Sequence, residues 1–157
     1  LLADGTCQEV LVAATEWGNY PGAEGMRLVR DDSSRILAAA DAALAKSGTT
    51  TLEAAMADVP MVVAYRVHPL TYRLAQRMIT VEWVSLVNLI ADREVVPELL
   101  QGEATPERLV AAIAPLLDPT SAACLAQRAG LADVRARVGG PGANARVAEL
   151  AAGLLAA

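Results

Sequence analysis

Lysine occurs once in this chain, at Lys46, histidine once, at His68, and cysteine twice, at Cys7 and Cys124. One His and two distant Cys give no ligand spacing for a zinc site and no small disulfide framework, so reduced thiols in a cytosolic protein are the simplest account. Cys124 stands at helical spacing with Leu131, Val134 and Val138, a packing pattern. Sparse lysine and a net charge of −5 argue against nucleic acid as a partner, because phosphate backbones are bound by dense Lys/Arg surfaces. Long apolar runs are missing too. The hydrophobic fraction is 54%, but it is largely Ala, Leu and Val, and no uninterrupted run approaches the roughly 20 residues of a membrane span. There is no signal peptide and no low-complexity tract. There is also no initiator Met, and the chain opens as though already inside a fold, so we take it as the C-terminal part of something longer.

What is present fits one domain of ordinary size, long enough to bury most of its apolar surface. Leu1-Leu2-Ala3 reads as the end of a strand or a loop, and Cys7 to Ala14 as a helix. Met26 to Val29 reads as a strand, ended by the helix-capping residues Asp31-Asp32-Ser33, with a brief helix over Ile36 to Ala40. Asp41 to Ala45 reads as a second buried strand because a Ser-Gly break follows it. Thr51 to Asp58 is then a helix stopped before Pro60. Met61 to Tyr65 is the clearest strand, β-branched and apolar on both faces, as a central parallel strand covered by helices must be. A helix is expected from Pro69 to Ile79, a further strand at Val84-Ser85-Leu86, and helices over 92–100, 106–117, 120–138 and 143–156. The alternation predicts an α/β fold, a Rossmann-like parallel sheet with helices on both faces and a helical C-terminal tail. Gly139-Gly140-Pro141-Gly142 breaks the last two helices and divides residues 1–142 from a C-terminal helix at 143–157.

Chemistry concentrates in Ser47-Gly48-Thr49-Thr50-Thr51-Leu52-Glu53, a small-residue turn between a strand and a helix. Unpaired backbone N–H groups, hydroxyls and the positive end of the helix dipole gather there and suit an anion such as a diphosphate. The same residues also fit an ordinary turn with Thr as N-cap and Glu53 complementing the dipole. In open parallel sheets ligands bind beyond the carboxyl ends of strands, which adds Arg66 and Asn88 as candidates. A carboxylate in the first turns of that helix, Glu53, is suited to two ribose hydroxyls. Arg66 could neutralise a leaving group or serve a structural salt bridge. Glu94, Glu98 and Gln101 fall at helical spacing, with Glu98 read as a solvated position and Glu94 as a site candidate.

The wider string, Ala39 to Leu44, Ser47 to Glu53 and Pro60 to Arg66, resembles the donor-binding domain of the lipid-A-disaccharide synthase family. The resemblance continues through Pro69-Leu70-Thr71, Val84 to Ile90 and Arg93 to Gln101 up to the Thr105-Pro106 helix start. It implies the C-terminal half of a GT-B fold and an inverting glycosyltransferase that needs no metal or other cofactor. The implied donor is UDP-2,3-diacylglucosamine, the implied acceptor 2,3-diacylglucosamine 1-phosphate, and the products lipid A disaccharide and UDP. It further implies that Ser47, Gly48, Thr49 and Thr50 form the diphosphate cradle, that Glu53 holds the ribose, and that Arg66 meets the charge of departing UDP. Asn88 matches an asparagine needed for activity, which would hold the donor sugar or the departing phosphate, although Val87 stands where many relatives have Pro. Glu94 matches the family as well.

Between Asp58 and Glu82 there is no acidic residue, while Arg66, Arg73 and Arg77 stand among Leu70, Tyr72, Leu74, Met78 and Ile79. That suits anionic head groups and acyl chains at the cytoplasmic face of the inner membrane, or equally a solvated helix over a core. In the resembling family the acceptor contacts and the general base belong to an N-terminal domain, and the donor domain opens with a strand and a Gly-Ser-Arg turn. Neither is found here, so the chain alone is expected to bind UDP weakly and not to turn over. Relatives can exchange C-terminal segments, which makes a homodimer compatible with the Gly139–Gly142 break. Two other classes share the cradle and the acid: another GT-B UDP-N-acetylglucosamine transferase or epimerase, and a non-catalytic nucleotide-sugar-binding module.

Overall fold

The computed structural model describes residues 10–13, 26–30, 33–68, 82–140 and 142–155. Strand β1 (Val10–Ala13) pairs in parallel with β2 (Arg27–Arg30), Val10 beside Arg27. Residues 10–13 therefore belong to a strand where a helix was expected over Cys7 to Ala14, and β-branched Val10 and Val12 suit the pleat. The remainder of that span, the opening Leu1-Leu2-Ala3 and the helix expected from Pro69 to Ile79 lie outside the described residues.

After α1 (Ser33–Ala38), a parallel sheet forms in the order β3 (Ala43–Lys46), β4 (Met61–Tyr65), β5 (Glu98–Leu100). Helix α2 (Thr49–Met56) connects β3 to β4, and α3 (Leu86–Ala91) precedes β5. The tail is α4 (Pro106–Ile113), a 3-10 turn over Ala114–Leu116, α5 (Ala122–Val138) and α6 (Ala143–Leu155).

The alternation of side chains along a strand explains why β4 is apolar throughout. Met61 and Val63 face one way, into a buried cluster with Ala54 and Ala55 of α2, Val87 and Ala91 of α3 and Leu131 and Val134 of α5. Val62 faces the other, joined by Leu99 and Leu116 with Leu109, Ala112 and Ile113 against them. Helices thus cover both faces. Cys124 is buried on α5 with Leu131 and Val134, while Val138 is exposed.

Two further expected elements differ. Val84-Ser85-Leu86 is a helix start, because the Ser85 hydroxyl accepts the Asn88 N–H at 3.2 Å and caps α3. Residues 92–100 contain no helix: Pro97 disfavours the α conformation at Val96, Asn88 holds Val95 and Val96 by their N–H groups, and the chain enters β5. Glu94, Glu98 and Gln101 consequently share no helix face.

Short β5 leaves a backbone donor to be satisfied. Val63 N–H donates to the Pro97 carbonyl at 2.9 Å, but Met61, two residues earlier on the same edge, finds no strand partner and donates to Gln127 Oε1 of α5 at 2.6 Å. Gln127 is 6% exposed, so this bond anchors the long helix to the start of the central strand. Gln127→Leu leaves that N–H buried and unpaired and is expected to cost about 1–3 kcal/mol, read as a lower urea midpoint at unchanged slope.

At the other end of α2, Arg135 of α5 donates to the Ala55 carbonyl at 2.9 Å and to Asp58 Oδ1 at 2.8 Å, a cation on the negative end of the helix. Helix α6 follows Gly142 and leaves Val147, Leu150 and Leu154 exposed. Among the described residues, no helix is long and apolar enough to cross a membrane.

Candidate functional site

The register of the parallel sheet decides which loops meet. Lys46 lies beside Ala64, and Tyr65 beside Leu100, so the chain leaves all three strands at one edge through Ser47, Arg66 and Gln101. In an open parallel sheet that carboxyl-end rim is where ligands bind.

At the β3 exit, Gly48 has φ 146° and ψ −163°, a combination essentially confined to glycine. A Cβ built there would meet nothing within 4 Å, so the conformation alone demands glycine and the space before it is open. Gly48 is the N-cap of α2 and no side chain caps that end. The three threonines divide: Thr51 is fully buried and donates its hydroxyl to the Gly48 carbonyl at 2.8 Å, while Thr49 and Thr50 are exposed on the first turn. Glu53 is exposed one turn further, at i+4 from Thr49 and i+3 from Thr50, and therefore on their face. Its Oε2 accepts from the Ser33 hydroxyl at 3.4 Å. Cradle and acid are thus brought together.

Ser47, expected in the cradle, directs its hydroxyl into the protein. Its hydroxyl donates to the Val84 carbonyl at 2.8 Å, and a carbonyl can only accept, so the hydroxyl proton is committed there. Donors for an anion at this rim are left to the α2 backbone and to Thr49 and Thr50.

Arg66 is exposed after β4 and makes no ion pair or hydrogen bond among the described residues; the structural salt bridge considered for it is not found there. The residue after it is fixed. Gln101, at φ 52°, places its side-chain amide against Val67, and with the amide oriented to match both groups it donates to the carbonyl at 3.0 Å and accepts from the N–H at 3.3 Å. The side chain thereby continues the β4–β5 ladder by one step and holds the loop that carries Arg66.

Asn88 is fully buried, with every polar position of its amide in use. Oδ1 accepts from Val95 N–H at 2.7 Å and Val96 N–H at 3.0 Å, and Nδ2 donates to the Val96 carbonyl and to Glu98 Oε1, both at 2.9 Å. Direct contact with a sugar or phosphate, the role expected of it, would need one of these bonds broken; the amide instead organises the turn into β5. Glu94, in that turn, is exposed and precedes β5 on the side where the strand begins, so the fold does not bring it to the rim.

Sequence reasoning missed Glu98. Read as a solvated helix position, it is a half-buried strand residue whose carboxylate accepts from Val84 N–H and Ser85 N–H, both at 2.8 Å, and from Asn88. The Ser-x-x-Asn spacing of Ser85 and Asn88 and the Pro97 just before Glu98 were signals of a capped helix followed by a strand. Arg73 and Arg77 lie outside the described residues. Among the described residues no group of three or more His, Cys, Asp or Glu is placed to hold a metal ion.

Residues 25–138 match the family model described as lipid-A-disaccharide synthetase. Relatives named lipid-A-disaccharide synthase include that of Anaeromyxobacter sp. (strain K), 48% identical over 130 residues, which are 83% of this chain and 34% of the relative. That of Gluconobacter oxydans (strain 621H) is 50% identical over 70% of this chain and 26% of its own length. That of Sodalis glossinidius (strain morsitans) is 53% identical over 59% of this chain and 24% of its own length. The chain spans about a third or less of the curated relatives it matches.

Proposed function

The chain belongs to the lipid-A-disaccharide synthase family, and from that premise we propose that it is the donor-binding portion of an inverting glycosyltransferase. The reaction moves 2,3-diacylglucosamine from its UDP conjugate to 2,3-diacylglucosamine 1-phosphate, giving lipid A disaccharide and UDP. The observation that carries the donor role is the uncapped N-terminus of α2 behind Gly48, open in front and with Glu53 one turn along the same exposed face.

Backbone N–H groups at Gly48, Thr49 and Thr50, with the two exposed threonine hydroxyls, hold the diphosphate, and the dipole of α2 favours its charge. Glu53 accepts from the ribose hydroxyls, for which it would exchange its long contact with Ser33. Arg66 supplies positive charge where the glycosidic bond to UDP breaks, so the developing charge is met by donors and a guanidinium without a metal. Ser47 and Asn88 act on the shape of the rim and not on the ligand. Helix α6, with its exposed Val147, Leu150 and Leu154, packs against an acceptor domain or a second subunit. The stretch between Asp58 and Glu82, with arginines at 66, 73 and 77 and no acidic residue, suits contact with the anionic cytoplasmic surface of the inner membrane, where acylated substrates reside.

Calorimetry with UDP tests the donor role. Saturable binding is expected, and Glu53→Ala should weaken it roughly tenfold, the worth of a charge-assisted hydrogen bond. No heat in the parent, or equal affinity in the variant, would sink the assignment.

A further inference from the structure

One peptide group links β5 to the α2 turn. The C=O of Val84 and the N–H of Ser85 belong to the same planar unit and point in opposite directions. The N–H end is held by Glu98 Oε1 at 2.8 Å, and the C=O end receives the Ser47 hydroxyl at 2.8 Å. The other carboxylate oxygen takes Val84 N–H, also at 2.8 Å, so two successive peptide planes hang on Glu98. Residues 82–85 lie in no strand or helix, so these carboxylate bonds stand in for a ladder. Asn88 fixes the carboxylate from the third direction at 2.9 Å.

We propose that Glu98 is a positioning residue for the donor rim: through the rigid Val84–Ser85 peptide it sets the orientation of the Ser47 hydroxyl and with it the turn that opens α2. The relay is directional. Removing Glu98 frees the peptide and therefore Ser47, whereas removing the Ser47 hydroxyl leaves the peptide still gripped by Glu98. Its consequence for ligand affinity rests on the donor role proposed above, but the relay itself exists without ligand.

Nuclear magnetic resonance on the full chain tests both levels. In the ligand-free parent, a scalar coupling across the hydrogen bond from Ser85 N to Glu98 Cδ is expected, with Val84 and Ser85 amides exchanging as slowly as those of β4. Absence of both overturns the proposal without any variant having to fold. In Glu98→Gln, which sets an NH2 against one of two N–H donors, the Ser47, Gly48 and Thr49 amide resonances should shift and the Val84 or Ser85 amide should exchange at least tenfold faster, while Leu131 and Val134 of α5 stay in place. Ser47→Ala should leave Ser85 protected. Unmoved Ser47 to Thr49 amides in Glu98→Gln, or loss of Ser85 protection in Ser47→Ala, would overturn the relay. With UDP, each single variant is expected to weaken binding several-fold and the double variant no more than the worse single; additive losses count against coupling through one peptide. A parent that shows the relay but no UDP-induced shifts would instead overturn the donor assignment and leave the positioning role standing.

Discussion

Asn88→Asp is expected to destabilise the fold by about 3–5 kcal/mol at neutral pH, among the largest effects available to one isosteric change. The new side chain keeps the oxygen that accepts from Val95 and Val96 N–H. Its second oxygen falls where Nδ2 now donates, 2.9 Å from the Val96 carbonyl and 2.9 Å from a Glu98 oxygen. Three acceptors then face one another around a fully buried side chain, one pair of them charged, with half-buried Glu98 only partly screened by solvent. Protonation restores a donor, so the new carboxyl titrates above its unfolded value in the folded state. A raised folded pKa contributes stability below the unfolded value and loses it as pH rises through the folded one, so the deficit should shrink toward about pH 4. Asn88→Ala, which only deletes partners, should lack that pH dependence. Urea titrations of both variants at two pH values decide the matter: a loss under about 1 kcal/mol for Asn88→Asp would mean that the amide is not committed to the fold.

That expectation depends on features the sequence disclosed only in part. Alternating strand and helix and the doubly buried Met61–Tyr65 run identified the parallel sheet, because a central strand covered on both faces has a composition of its own. The turn at Ser47 to Glu53 was legible for a local reason: a glycine with φ 146° between a strand and a helix leaves a short-range signature. Glu98 and Gln101 were misplaced because their partners are not local. Glu98 bonds residues 13 and 14 positions away, and Gln101 pairs with Val67 across the sheet, whereas helical spacing tests only neighbours three and four apart. Asn88 stood out by its motif, but burial separates an amide that touches ligand from one that shapes the site, and burial is a tertiary property.

The turn that Asn88 holds is also wedged from outside, which gives the second large effect. Gly130 lies buried in α5, and a Cβ placed on it would stand 2.6 Å from Val95 Cγ1 and 3.3 Å from Cγ2. In an exposed helix, glycine to alanine gains up to about 1 kcal/mol. Here the overlap opposes it, at about 1–3 kcal/mol for overpacking a close contact. Val95 has little freedom to retreat, since a β-branched side chain is stiff at χ1 and its N–H is tied to Asn88 at 2.7 Å. Gly130→Ala is therefore expected to destabilise by about 1–2 kcal/mol and Gly130→Leu by about 3 kcal/mol or more, because three further carbons must enter the seam between α5 and the turn. Introducing Val95→Ala isolates the cause. In that background the methyls that Gly130→Ala strikes are gone, and the same substitution should become neutral or stabilising by up to about 1 kcal/mol. Equal destabilisation in both backgrounds, measured by urea unfolding, would place the penalty elsewhere than in this contact. A reversal of sign would show that the glycine serves to let α5 close over the turn that Asn88 builds ahead of β5.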